Sequence, residues 1–115
     1  MEVIIEQQHG VTIVRPTGFV DAETASTLAE ALNGQLQAGS LSLVVDLDQL
    51  DYMSSAGLRV LLAVLKDARR QGGDLRLANA KAGVRQVLEL SGFIKLVQLY
   101  PTLAGAVDSY GAPGA

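Results

Sequence analysis

The run Leu43-Val44-Val45-Asp46-Leu47 constrains this chain more than any other stretch. It is nearly all apolar and β-branched, so it reads as a strand buried on both faces rather than one alternating between core and water. On either side stand segments with helical spacing. Ala25, Leu28, Ala29, Leu32 and Leu36 recur every three or four residues before it, and Leu58, Leu61, Leu62 and Leu65 do so after it. A buried strand entered from one helix and left into another belongs to a sheet whose neighbours run parallel, because parallel strands need crossovers of this length.

The remaining elements follow from the same signals. Val3–Gln8 and Val11–Thr17 are apolar runs separated by His9-Gly10, which predicts a hairpin. Pro16 ends useful pairing or sits at an edge, Gly18 allows a turn, and Asp21 is placed to cap the first helix. Gly39-Ser40 stops that helix, and the buried strand extends over Leu41–Leu47. A second helix covers Ser55–Arg70, with Arg59, Lys66, Arg69 and Arg70 outward, and closes at Gly72-Gly73. A short strand over Leu75–Ala78, a third helix marked by Val84, Val87, Leu88 and Ser91, a strand over Ile94–Leu99 and a last helix over Leu103–Val107 complete the chain. The expected order is β-β-α-β-α-β-α-β-α: an α/β fold with a mixed, mostly parallel sheet packed with helices. Residues 1–110 read as one domain and 111–115, Gly-Ala-Pro-Gly-Ala, as a flexible tail.

Composition narrows the function. A net charge of −3 opposes general nucleic-acid binding. The 115 residues include no cysteine, which removes thiol catalysis and thiolate metal sites. No run is long enough to span a bilayer and the N-terminus lacks a signal-peptide pattern, so the expected location is the cytoplasm. Charge is uneven, acidic before residue 53 and basic after it, which reads as ordinary solvated faces or as a bipolar surface that orients a protein partner.

Catalytic constellations are missing. The one histidine, His9, lies in the predicted hairpin turn, remote in sequence from any serine that needs a base. There is no phosphate-binding glycine loop and no dinucleotide fingerprint. Asp46, Asp48 and Asp51 cluster at the C-terminal end of the buried strand, where they either cap and solvate the loop or hold a hard cation. No further ligands stand at an obvious spacing, so the reading is no metal, no cofactor and no enzyme.

Ser54 and Ser55 remain, where a strand delivers the chain to a helix N-terminus. Free amides and the positive end of the helix dipole favour negative charge there. Ser54 is placed to cap the helix. Ser55 suits a phosphate, with Arg59 four residues on and therefore on the same helical face, and with Gly57 leaving the nearby surface open.

These residues resemble a known family. Gly18-Phe19-Val20-Asp21, Leu43-Val44-Val45-Asp46-Leu47 and above all Tyr52-Met53-Ser54-Ser55-Ala56-Gly57-Leu58 are similar to the motifs of the STAS domain (sulfate transporter and anti-sigma factor antagonist), in particular of free-standing bacterial anti-sigma factor antagonists. The family pattern at the last motif is commonly Asp-Ser-Ser/Thr-Gly-Leu. This chain departs from it with Ser54 in place of aspartate and Ala56 in place of serine or threonine. The resemblance implies a STAS-like fold and a phosphorylation-controlled partner switch. The unphosphorylated protein would bind an anti-sigma factor that is also a serine kinase of the histidine-kinase-like ATPase fold, releasing a sigma factor. The kinase would phosphorylate Ser55, with Ser54 the minor alternative, and a PP2C-like phosphatase would reset it. Asp21, Ser54, Ser55, Gly57 and Arg59 would form the binding face. The family also holds non-switching accessory subunits of ABC-type lipid transport systems and small-ligand-binding modules, which stand as alternatives.

Overall fold

A computed structural model of the chain describes residues 1–111. The tail expected over 111–115 therefore lies, from residue 112 on, outside the described residues. The elements are β1 (Val3–Gln8), β2 (Val11–Pro16), β3 (Gly18–Val20), α1 (Ala25–Gln37), β4 (Ser42–Asp46), β5 (Leu50–Met53), α2 (Ser55–Arg70), β6 (Asp74–Ala78), α3 (Ala82–Leu90), β7 (Gln98–Tyr100) and α4 (Leu103–Asp108), with a 3₁₀ turn over Phe93–Lys95.

The expected hairpin forms. His9 and Gly10 carry φ of 51° and 80°, the two left-handed positions of a tight two-residue turn, and β1 pairs antiparallel with β2. From β2 onward the main sheet grows one way only, in the order β1-β2-β4-β6-β7, with β2, β4, β6 and β7 parallel. Right-handed crossovers that all step in one direction must put their helices on one face. Accordingly Leu28 and Leu32 of α1, Leu61 and Leu65 of α2, and Val84 and Leu88 of α3 share one core with Val14, Leu43, Val45, Leu75 and Leu77 of the strands. Burying each such leucine contributes about 1.5–3 kcal/mol. The opposite face is covered mainly by α4, whose Ala106 and Val107 pack on Val11, Ile13, Val44 and Ala78.

Three local expectations are corrected. The turn at Gly18 and the loop before Ser54 contain β3 and β5, which form a separate two-stranded parallel sheet. Each is too short for its alternation to show in sequence. The last strand lies at Gln98–Tyr100, not Ile94–Leu99, because Gly92 (φ 78°) ends α3 and the chain first makes a 3₁₀ turn that buries Phe93 and Val97. Finally, Asp21 is not the N-cap residue of α1. Thr24 holds that position, and Asp21 Oδ1 instead accepts from the amides of Glu23 and Thr24, both at 2.9 Å, closing the turn one step earlier.

Because α4 is short, its anchoring falls on a few side chains. The Tyr110 hydroxyl donates to the Leu43 carbonyl at 2.7 Å, and the Arg76 guanidinium lies 3.9 Å from the ring centroid. Arg76 also donates to Ser109 Oγ at 2.8 Å. Burial raises the Tyr110 pKa above its usual 10.0. An acid group whose folded pKa is raised leaves stability flat below the unfolded value and erodes it above, since the unfolded chain releases its proton first. We expect the urea midpoint to fall as pH rises past 10, and Tyr110→Phe to start lower but lack that component. An equal alkaline loss in the phenylalanine variant would remove Tyr110 as its source.

Candidate functional site

The site is built where β3 and β5 end together. Val20 and Met53 are register partners and both are buried, so the next residues, Asp21 and Ser54, stand side by side. The Ser54 amide donates to the Val20 carbonyl at 2.9 Å, which pins the start of α2 to the end of β3. Asp21 is held in turn by its own hydrogen bonds to the Glu23 and Thr24 amides and to the Thr24 hydroxyl. Those bonds, the Thr24 amide first, lower its pKa.

The two serines have opposite environments. Ser54 is the extended N-cap residue of α2, with φ −89° and ψ 175°, but its side chain caps nothing. Its Oγ is buried and finds no hydrogen-bond partner among the described residues. The expected capping by Ser54 therefore does not occur: its hydroxyl is buried without reaching the first amides of the helix. Ser55, the first residue of α2, is exposed. The first turn of α2 contains no acid and no side-chain cap, so its amides and the dipole are left uncompensated beneath Ser55.

Gly57 does not open the surface as expected. It is buried, and a Cβ there would lie 2.8 Å from Val20 Cγ1 and 2.9 Å from Met53 Cγ. The missing side chain lets α2 settle onto β3 and β5, which fixes the height at which Ser55 emerges. Gly57 thus shapes the face from below. Arg59 is exposed one turn along α2 and forms no ion pair among the described residues.

Two residues of this face were not singled out in the sequence. Phe19 and Tyr52 are register partners on the outer side of the β3–β5 sheet, and each is 53% exposed. Side by side, they put an aromatic platform next to the serines, and strands this short gave no periodic signal from which to foresee it. Beside them Asp51 pairs with Lys81 at 2.8 Å, tying β5 to the start of α3.

The three aspartates from the end of β4 into β5 diverge. Asp46 is buried and accepts from Arg15 Nε (3.0 Å), Asn79 Nδ2 (3.0 Å) and the Asp48 amide (3.1 Å), while Asp51 turns to Lys81. Among the described residues no three acids or histidines come together as a cation site. His9 sits exposed in its turn, at the opposite end of β2 from the residues that lead into β3. No helix of the described residues is long and apolar enough to cross a membrane.

Comparison with known proteins agrees with this architecture. The STAS domain family model matches residues 2–106, and the chain belongs to that family. It is 40% identical over 96 residues to BtrV of Bordetella bronchiseptica, a protein described as a candidate anti-sigma factor antagonist, covering 84% of this chain and 83% of that one. Among solved structures, an anti-sigma factor antagonist from Mycobacterium paratuberculosis superposes with a TM-score of 0.86 at 28% identity, covering 94% of this chain and 92% of the other. The Bacillus protein SpoIIAA shares the fold, with TM-scores of 0.80 for its unphosphorylated form (19% identity, 95% and 96% coverage) and 0.73 for its phosphorylated form (18% identity, 95% and 99% coverage).

Proposed function

We propose that this chain is an anti-sigma factor antagonist that works as a phosphorylation-controlled partner switch in the cytoplasm. The unphosphorylated form binds an anti-sigma factor that is also a serine kinase of the histidine-kinase-like ATPase fold, and so releases a sigma factor. Phosphorylation at Ser55 ends the binding, and a PP2C-like phosphatase restores it. The chain contributes a surface and an acceptor hydroxyl rather than catalysis.

The observation that carries this reading is the contrast between Ser55, exposed over the uncapped amides of α2, and Ser54, whose Oγ is buried. Only the first offers a hydroxyl to a kinase without prior unfolding. A phosphate there adds roughly −1.5 to −2 charges, which the helix terminus tolerates. The names of the relatives and the phosphorylated form of SpoIIAA support the same reading. Phe19, Tyr52 and Asp21 supply apolar contact and charge around the acceptor.

The test is direct. Incubated with its cognate serine kinase and ATP, the chain gains the mass of one phosphate, Ser54→Ala retains that gain and Ser55→Ala loses it. Phosphate on Ser54 overturns Ser55 as the acceptor, and none on either overturns the switch. Stable co-purification with a transporter ATPase instead would favour an accessory-subunit role.

A further inference from the structure

A second surface lies along α2, beginning one turn beyond Ser55. Leu58 and Leu62, one turn apart, form one wall of an apolar groove of about 180 Å³ whose other wall is Phe93 and Leu96 from the turn after α3. Leu96 is 52% exposed, and Leu90, just before the groove-lining Ser91, is 81% exposed. The groove is held in shape by Arg69, which donates to the Leu96 carbonyl at 2.9 Å while gripping Asp74 at 3.0 Å.

Its rim is cationic. Arg59 lines the groove and, together with Leu62 and Lys66, also an adjoining hollow; Lys95 lies in the turn between Phe93 and Leu96. All three cations are exposed and none forms an ion pair among the described residues. The acid of that hollow, Asp67, is engaged by Arg70 at 2.6 Å. Exposed apolar side chains ringed by unpaired charge of one sign mark a protein-binding groove.

We propose that this groove docks an acidic amphipathic helix of a partner protein. Leucines spaced one turn apart on α2 accept the ridges of another helix. Carboxylates flanking that helix's apolar face would meet Arg59, Lys66 and Lys95. A second copy of this chain is disfavoured, since groove against groove opposes the same cations. Arg59 also stands one turn from Ser55 on the same helical face, so a phosphate at Ser55 draws its guanidinium from the rim. That coupling rests on the Ser55 reading above; the groove does not.

The test titrates the full chain, followed by amide chemical shifts, with three synthetic helical peptides. One carries leucines at i, i+3, i+4 and i+7 flanked by glutamates, one replaces the glutamates with lysines, and one replaces the leucines with alanines. Only the first should bind, moving the amides of Leu58, Leu62, Phe93 and Leu96. The double substitution Arg59→Glu with Lys66→Glu, both at exposed sites, should weaken it about ten-fold or more. Equal binding of the lysine peptide, shifts centred elsewhere, or concentration-dependent shifts of the same amides without peptide overturn the proposal. Phosphoserine installed at position 55 should weaken the glutamate peptide about three- to five-fold, and an unchanged affinity overturns the coupling. None of the peptide arms uses a kinase, so failure of Ser55 to accept phosphate would sink the switch and leave the groove standing.

Discussion

Phosphorylated at Ser55, the chain is expected to lose its anti-sigma partner by about a hundred-fold or more, a change of about 3 kcal/mol. Two opposing effects set the size. Within the free protein the uncapped start of α2 stabilises the new charge by about 0.3–1 kcal/mol. Across an interface the same group must be stripped of water against a surface that includes Phe19 and Tyr52, at a cost of several kcal/mol. The second effect is larger, so binding is lost while the fold is kept. Amide shifts should therefore change around Ser55 and Arg59 but not across β2, β4 and β6. Ser55→Asp adds one charge at most and should fall between the two states. Calorimetric titration of the cognate anti-sigma factor with both forms decides the matter: affinities within about three-fold of each other leave no switch for the phosphate to operate.

How far the sequence discloses this site depends on how many residues share a signal. The helix predicted over Ser55–Arg70 forms with those limits because a long periodic run fixes its own ends, and the strand over Val3–Gln8 does so because the His9-Gly10 turn ends it. β3 and β5 escaped because three or four residues carry no period, and each is a strand only through the other. Asp21, Ser54 and Ser55 were recognised as belonging together, yet it is the β3–β5 pairing that brings the first beside the other two. The burial of a hydroxyl is a tertiary property: nothing in the order Ser-Ser says that the first is buried and the second exposed. Glycine is ambiguous for a similar reason. It permits either a left-handed backbone or a close approach, and Gly57 was read as opening the surface when it actually lets two elements touch.

The same ambiguity yields the largest expected loss of stability, at Gly73. Gly72-Gly73 was read as a single closing signal for the second helix, but the two residues do different work. Gly72 adopts φ 90° and ends α2 by backbone conformation. Gly73 does not need a positive φ; a Cβ there would fall 2.1 Å from the Leu41 carbonyl oxygen and 2.8 Å from Leu41 Cβ. That carbonyl accepts the Asp74 amide at 2.9 Å, at the start of the β4–β6 pairing in the middle of the sheet. Backbone cannot swing aside as a side-chain tip does, so Gly73→Ala must shift the entry of β6 away from β4. The expected cost is about 3 kcal/mol, near the upper end for overpacking, with a fall in Tm of about 10 °C or more. Gly72→Ala should cost about 1 kcal/mol, from the left-handed conformation alone. Asparagine separates the mechanisms, because it accepts a left-handed backbone but brings a Cβ. Gly72→Asn should recover most of the loss, whereas Gly73→Asn should be at least as damaging as alanine. Thermal and urea unfolding of the four variants provide the measurement, and equal losses at the two positions would show that the contact with Leu41 is not what Gly73 is there to permit.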